Sequence, residues 1–123
     1  MLNPDLMIFY VDSPEASGRF YARLIRREPV EASPAFVLFA LESGLKLGLW
    51  SRHAVEPAAK SSGGSAELVF TVGGAAEVDA TFADWKAQGL KILQEPVAMD
   101  FGRSFTALDP DGHRLRVFCP SEG

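Results

Sequence analysis

Residues 100–120, DFGRSFTALDPDGHRLRVFCP, decide the fold. Two strand-forming runs flank Asp109-Pro110-Asp111-Gly112. Proline suits the second turn position, the aspartates bond to nearby backbone, and glycine supplies the positive φ that closes a hairpin. Ser104, Thr106 and Leu108 alternate with Arg103, Phe105 and Ala107. Beyond the turn, Leu115 and Val117 alternate with Arg114, Arg116 and Phe118. Such alternation predicts a sheet with one packed face and another carrying aromatics and arginine.

Upstream of the hairpin, Leu90 to Val97 reads as a strand. Before it, Val78, Phe82 and Trp85 mark one face of a helix that Gly89 closes. Glu67 to Val72 is a further strand, joined to that helix by Gly73-Gly74. The chain from Ser51 to Gly64 is polar and small, with Pro57 and Ser61-Ser62-Gly63-Gly64, the composition of a linker or loop.

The N-terminal half carries the same signals. Leu6 to Val11 is a strand, and Ser13, Pro14 and Glu15 supply a cap, a first helical residue and a dipole-matched charge. Ser17, Phe20, Tyr21 and Leu24 give an amphipathic helix to about Arg27, ended by Glu28-Pro29. Phe36 to Leu41 and Leu45 to Trp50 then form a hairpin around Glu42-Ser43-Gly44, with Leu38 opposite Gly48 and Phe36 opposite Trp50.

A shift of 61 positions lays Ile8, Phe9 and Val11 on Val69, Phe70 and Val72, and Tyr21 and Leu24 on Phe82 and Trp85. Both halves read βαβββ, so the expected fold is α+β, built from a duplicated module. The boundaries are module 1 at about 4–52, a linker at 53–64 and module 2 at about 65–120, within one domain over 1–123.

Composition excludes several classes. A net charge of -4 is at odds with a nucleic-acid footprint, which needs clustered Lys and Arg. No run approaches the roughly 20 apolar residues of a membrane span, and no stretch has the form of a signal peptide, so a cytoplasmic protein is expected. The lone Cys119 forms no intrachain disulfide and reads as a small apolar residue of the last strand.

The paired βαβββ modules, Val11-Asp12 ahead of a helix containing Phe20-Tyr21, and the Asp109–Gly112 turn before the last strand resemble the vicinal oxygen chelate superfamily (glyoxalase, bleomycin resistance proteins, dioxygenases). That resemblance implies concave mixed sheets of the glyoxalase/bleomycin resistance fold. In detail, Phe39-Ala40-Leu41, Leu49-Trp50-Ser51, Asp100-Phe101-Gly102 and Asp109 to Val117 look closest to phenazine antibiotic resistance proteins. These imply a homodimer that sequesters a flat aromatic compound without chemistry.

Superfamily enzymes hold a divalent metal on His and Glu side chains. The resemblance places those positions at about Asp5, Gly48, Glu67 and Arg116. Gly48 has no ligating atom and Arg116 is a fixed cation, so no metal, cofactor or catalytic residue is expected. Asp5 and Glu67 serve as ligands only if the protein is instead a glyoxalase-like lyase or dioxygenase with a remodelled site.

The superfamily's strand order also puts Glu67 beside Arg116. The pair either spares each charge an unpaired burial or anchors a polar ligand atom. Strand parity, taken with Gly48 and Arg116 facing inward, adds Phe36, Leu38 and Trp50 in module 1. In module 2 it adds Val69, Thr71, Arg103, Phe105, Ala107, Arg114 and Phe118. Trp50 is the leading stacking residue, with Phe36, Phe101 and Phe105 as ring partners and Gly48 and Gly102 as points of close backbone approach. Ser51, His53, Asp100 and Arg103 are rim positions. The predicted ligand-binding set is therefore Phe36, Gly48, Trp50, Glu67, Phe101, Arg103, Phe105 and Arg116.

Overall fold

A computed structural model describes residues 2–61 and 63–121, so Ser62 of the expected linker lies outside the described residues. The chain divides into two compact units, Met1–Ser61 and Ser62–Gly123. The first contains β1 (Leu6–Val11), α1 (Pro14–Ile25), β2 (Glu31–Ala32), β3 (Phe36–Ala40) and β4 (Lys46–Ser51). Its mixed sheet has the order β1-β4-β3-β2, with β1 parallel to β4 and the other pairs antiparallel. The second contains β5 (Glu67–Thr71), α2 (Ala75–Ala87), β6 (Lys91–Met99), β7 (Gly102–Leu108) and β8 (Arg114–Pro120). It repeats the plan as β5-β8-β7-β6. Both halves are βαβββ, and the α+β fold is the one expected.

Local chemistry accounts for the elements. The Ser13 hydroxyl accepts a hydrogen bond from Ala16 N–H at 3.1 Å, Pro14 opens α1, and Arg26 closes it in a left-handed conformation. Helix α2 starts at Gly74 with no side-chain cap and ends ahead of Gly89, whose φ of 89° terminates it. Strand β2 has only two residues, both exposed, so apolar alternation gives no run at that place.

In the first unit Phe9, Val11, Tyr21, Val37, Phe39, Leu47 and Leu49 form the core between α1 and one sheet face. In the second, Leu68, Val78, Trp85, Phe105, Leu115 and Val117 do the same against α2. Each sheet is left with a second face that carries no helix. The segment expected to be a loose linker begins in ordered structure. Ser51 belongs to β4, its carbonyl accepts from Ala54 and Val55 N–H, and Val55 is buried.

Candidate functional site

Strand pairing builds an aromatic cluster on the helix-free face of the first sheet. In β4, Leu47 and Leu49 point to the core, so Gly48 and Trp50 take the other side. Trp50 has Phe36 on β3 and Tyr10 on β1 as its cross-strand neighbours. Both rings meet the indole edge-on, at centroid distances of 6.3 and 6.4 Å. This arrangement follows the quadrupoles of the rings and leaves the indole half-buried.

Gly48 plays a different part from the expected one. A Cβ at this position would lie 2.8 Å from Phe36 Cζ, so the room left by the glycine is filled by the chain's own Phe36 ring. Gly102 is corrected in the same way. Its φ is 141° and a Cβ there would lie 2.0 Å from the Cys119 carbonyl oxygen, so it serves the close approach of β7 to β8.

The helix-free face of the second sheet carries charge. Arg116 on β8 donates from Nε and Nη2 to the two carboxylate oxygens of Glu67 on β5, each at 2.8 Å. Its Nη1 donates to Ser104 Oγ at 2.8 Å. The two side chains are 17% and 29% exposed, dry enough for the fork to be held. The hydrogen bond from Arg116 holds the Glu67 carboxyl below its ordinary range against the opposing effect of burial, and Glu67 in turn raises the Arg116 pKa. The Arg116 guanidinium lies 5.9 Å from the Phe101 ring centre, and Phe101 meets Phe118 edge-on at 5.7 Å.

Two expected residues belong elsewhere. Phe105 is fully buried on the α2 side, edge-on to Phe82 at 5.5 Å and Trp85 at 5.4 Å. Arg103 also turns toward α2 and binds Asp79 through Nε at 2.9 Å and Nη2 at 2.8 Å. The cause is register. Asp109 N–H donates to the His113 carbonyl, making a three-residue loop with Gly112 at positive φ, so residues of equal parity face each other. Thr106 therefore opposes Arg116, and Ser104 opposes Phe118. Ala107 likewise packs in the core. Ser104 and Thr106 were missed, and the loop length was the signal that would have found them.

Of the rim positions, His53 Nε2 lies 2.7 Å from Asp12 Oδ1, both exposed, and that hydrogen bond holds Asp12 below its ordinary carboxyl range. Asp100 is exposed, and its carbonyl accepts from Ser121 Oγ. A cleft of about 360 Å³ lies in the first unit between α1 and the approach to β3, floored by Gly18, Ala22 and Val37. No aromatic ring and none of the expected site residues line it.

A metal on the four superfamily positions does not fit these residues. Gly48 offers no donor, Arg116 is cationic, and both Glu67 oxygens are engaged by Arg116. Asp5 is exposed just ahead of β1, where its backbone carbonyl accepts from Lys46 N–H. Among the described residues no group of three His, Cys, Asp or Glu side chains is arranged to hold a metal ion.

Two βαβββ units with parallel first and last strands define the class. The chain belongs to the Glyoxalase/Bleomycin resistance protein/Dioxygenase superfamily, whose family model matches residues 4–117. Among individual relatives, the phenazine antibiotic resistance protein EhpR of Enterobacter agglomerans is 34% identical over 122 residues, spanning 97% of this chain and 92% of that protein. The solution NMR structure of protein ATC0852 from Agrobacterium tumefaciens is 56% identical, with a TM-score of 0.92 over 99% of this chain and 100% of that one. A glyoxalase-related enzyme from Fulvimarina pelagi, 24% identical over 97% of this chain and 88% of its own, shares the fold at a TM-score of 0.84. No helix among the described residues is long and apolar enough to cross a membrane.

Proposed function

We propose that this chain is a metal-independent binding protein that sequesters a planar aromatic compound, such as a phenazine-like antibiotic, with no bond made or broken. The observation that carries the reading is the Arg116–Glu67 fork. It puts a fixed cation where the superfamily's enzymes place a metal-binding glutamate, and it engages both oxygens of the Glu67 carboxylate. A glyoxalase-like lyase or a dioxygenase needs a metal or a free base. Glu67, held ionised by Arg116, is a weak base, which speaks against proton abstraction.

The chemistry of binding is present on both helix-free faces. Trp50 offers a π surface and an N–H donor, with Phe36 and Tyr10 holding the indole in place. Phe101, 42% exposed beside Arg116, offers a second ring next to a polar group. The 34% identical relative, a phenazine antibiotic resistance protein, supports the same ligand class. The protein acts in this reading as a cytoplasmic homodimer.

Equilibrium dialysis of chelator-treated protein against phenazine and other planar antibiotics, with mass spectrometry of the bound compound, tests the reading. Saturable uptake and recovery of unaltered compound are expected. Absence of uptake across the panel, conversion of the compound, or activity restored by nickel, zinc, manganese or iron would each sink it.

A further inference from the structure

Thr106 is 1% exposed, and its Oγ1 is closed off from solvent with no hydrogen-bond partner among the described residues. Buried hydroxyls are nearly always paired, so one with no partner among the described residues has capacity to bond a group from outside the chain. It lies directly across from Arg116 on the helix-free face, with Ser104 two residues away on the same strand face. Cross-strand neighbours on one face stand about 5 Å apart at Cβ, which puts this hydroxyl alongside the Arg116 stem.

The remaining chemistry of the patch points one way. A guanidinium has five N–H donors. Three of those on Arg116 are engaged, two by Glu67 and one by Ser104. The other two have no partner among the described residues. Arg114, in register with Glu67, adds a second positive charge and contributes to lowering the Glu67 pKa. Among Glu67, Arg114 and Arg116 the charges sum to one positive, and Gln94, paired with Thr106 from β6, completes the polar surroundings. A guest here is favoured by its acceptors.

We infer that Thr106 and the unspent N–H groups of Arg116 form a subsite that reads hydrogen-bond acceptors on a planar ligand. The accepted group is a ring nitrogen, a carbonyl oxygen or a carboxylate oxygen. Because no solvent reaches Oγ1 in the ligand-free chain, Thr106 donates to that group only once the side chains over it move aside. This rests on the ligand-binding reading above and names the polar group that the second sheet's helix-free face would recognise. It also explains a threonine where valine of the same shape would leave no open hydroxyl.

The test compares the parent protein with Thr106→Val, titrating each with phenazine, a neutral acceptor, and with phenazine-1-carboxylate, an anionic one. Thr106→Val is expected to keep or slightly raise the thermal midpoint, because it removes an unpaired buried hydroxyl. It is also expected to weaken whichever probe the parent binds by about 3- to 10-fold, the worth of one hydrogen bond. Selective loss of the carboxylate identifies a carboxylate as the accepted group, and equal loss of both identifies the ring nitrogen. Equal affinity of parent and variant for both probes overturns the Thr106 assignment and leaves the binding reading standing. A parent that binds neither probe counts against both.

Discussion

The two helix-free sheet faces come from modules of the same plan, yet they carry opposite chemistry. The first is a ring cluster, with Trp50 between Phe36 and Tyr10 and a glycine beneath Phe36. The second is a polar fork, with Arg116 tied to Glu67 and Ser104 and bordered by Phe101 and Phe118. Each module keeps the same alternation for its core, so the core side fixes the fold and the free side is open to specialise. The glycines show the contrast most sharply. Gly102 is pressed against backbone, whereas Gly48 is pressed against the end of a rotatable side chain.

Gly102→Ala is predicted to have the largest effect. Its φ of 141° and the clash with the Cys119 carbonyl leave no side chain to move aside, so a loss of about 3 kcal/mol or more is expected in denaturant unfolding. A variant within about 1 kcal/mol of the parent would show that the β7–β8 approach is slack.

Glu67→Gln comes next. It removes one charge of a partly screened pair and is expected to cost about 1 to 2 kcal/mol at neutral pH. The folded pKa of Glu67 lies below its ordinary 4.5, so the pair's contribution is fully present above that value and is lost as pH falls through the folded pKa. The gap in thermal midpoint between parent and variant should therefore hold steady from pH 6 to 8 and close in acid. A gap that widens on acidification contradicts the pairing.

Gly48→Ala is milder, because the Phe36 ring can swing away, and a cost of about 1 kcal/mol is expected. In a Phe36→Ala background the same change should become neutral or stabilising by about 0.5 kcal/mol, since alanine is then favoured over glycine in a strand. The same cost in both backgrounds would mean that the ring is not what Gly48 accommodates. His53→Ala is the smallest: both members of its pair with Asp12 are exposed, and no measurable shift in thermal midpoint is expected.

Much of this was legible in the sequence because it rests on short-range rules. The Ser13 cap, the Gly89 stop, the pairing of Phe36 with Trp50 and the repeated element order all follow from neighbouring residues. The Glu67–Arg116 pair came from the superfamily's strand order and the structure contains it. What failed depended on one residue of loop length. Treating odd-numbered residues of β7 as partners of Arg116 put Arg103 and Phe105 on the wrong face, since a one-residue slip reverses every side chain. The glycines were misread for another reason: the groups that approach Gly48 and Gly102 belong to this chain, and sequence spacing does not reveal such contacts.

Metal-free binding of a planar aromatic compound is proposed at the Trp50 face. The most direct measurement is tryptophan fluorescence of chelator-treated protein titrated with phenazine, run beside Trp50→Phe. The protein's other tryptophan, Trp85, is 4% exposed and enclosed by Phe70 and Phe105, so it serves as an internal control. Saturable quenching in the parent, absent from the Trp85 emission that remains in Trp50→Phe, is the predicted result. Quenching that needs added metal, or that persists undiminished without Trp50, would contradict the account.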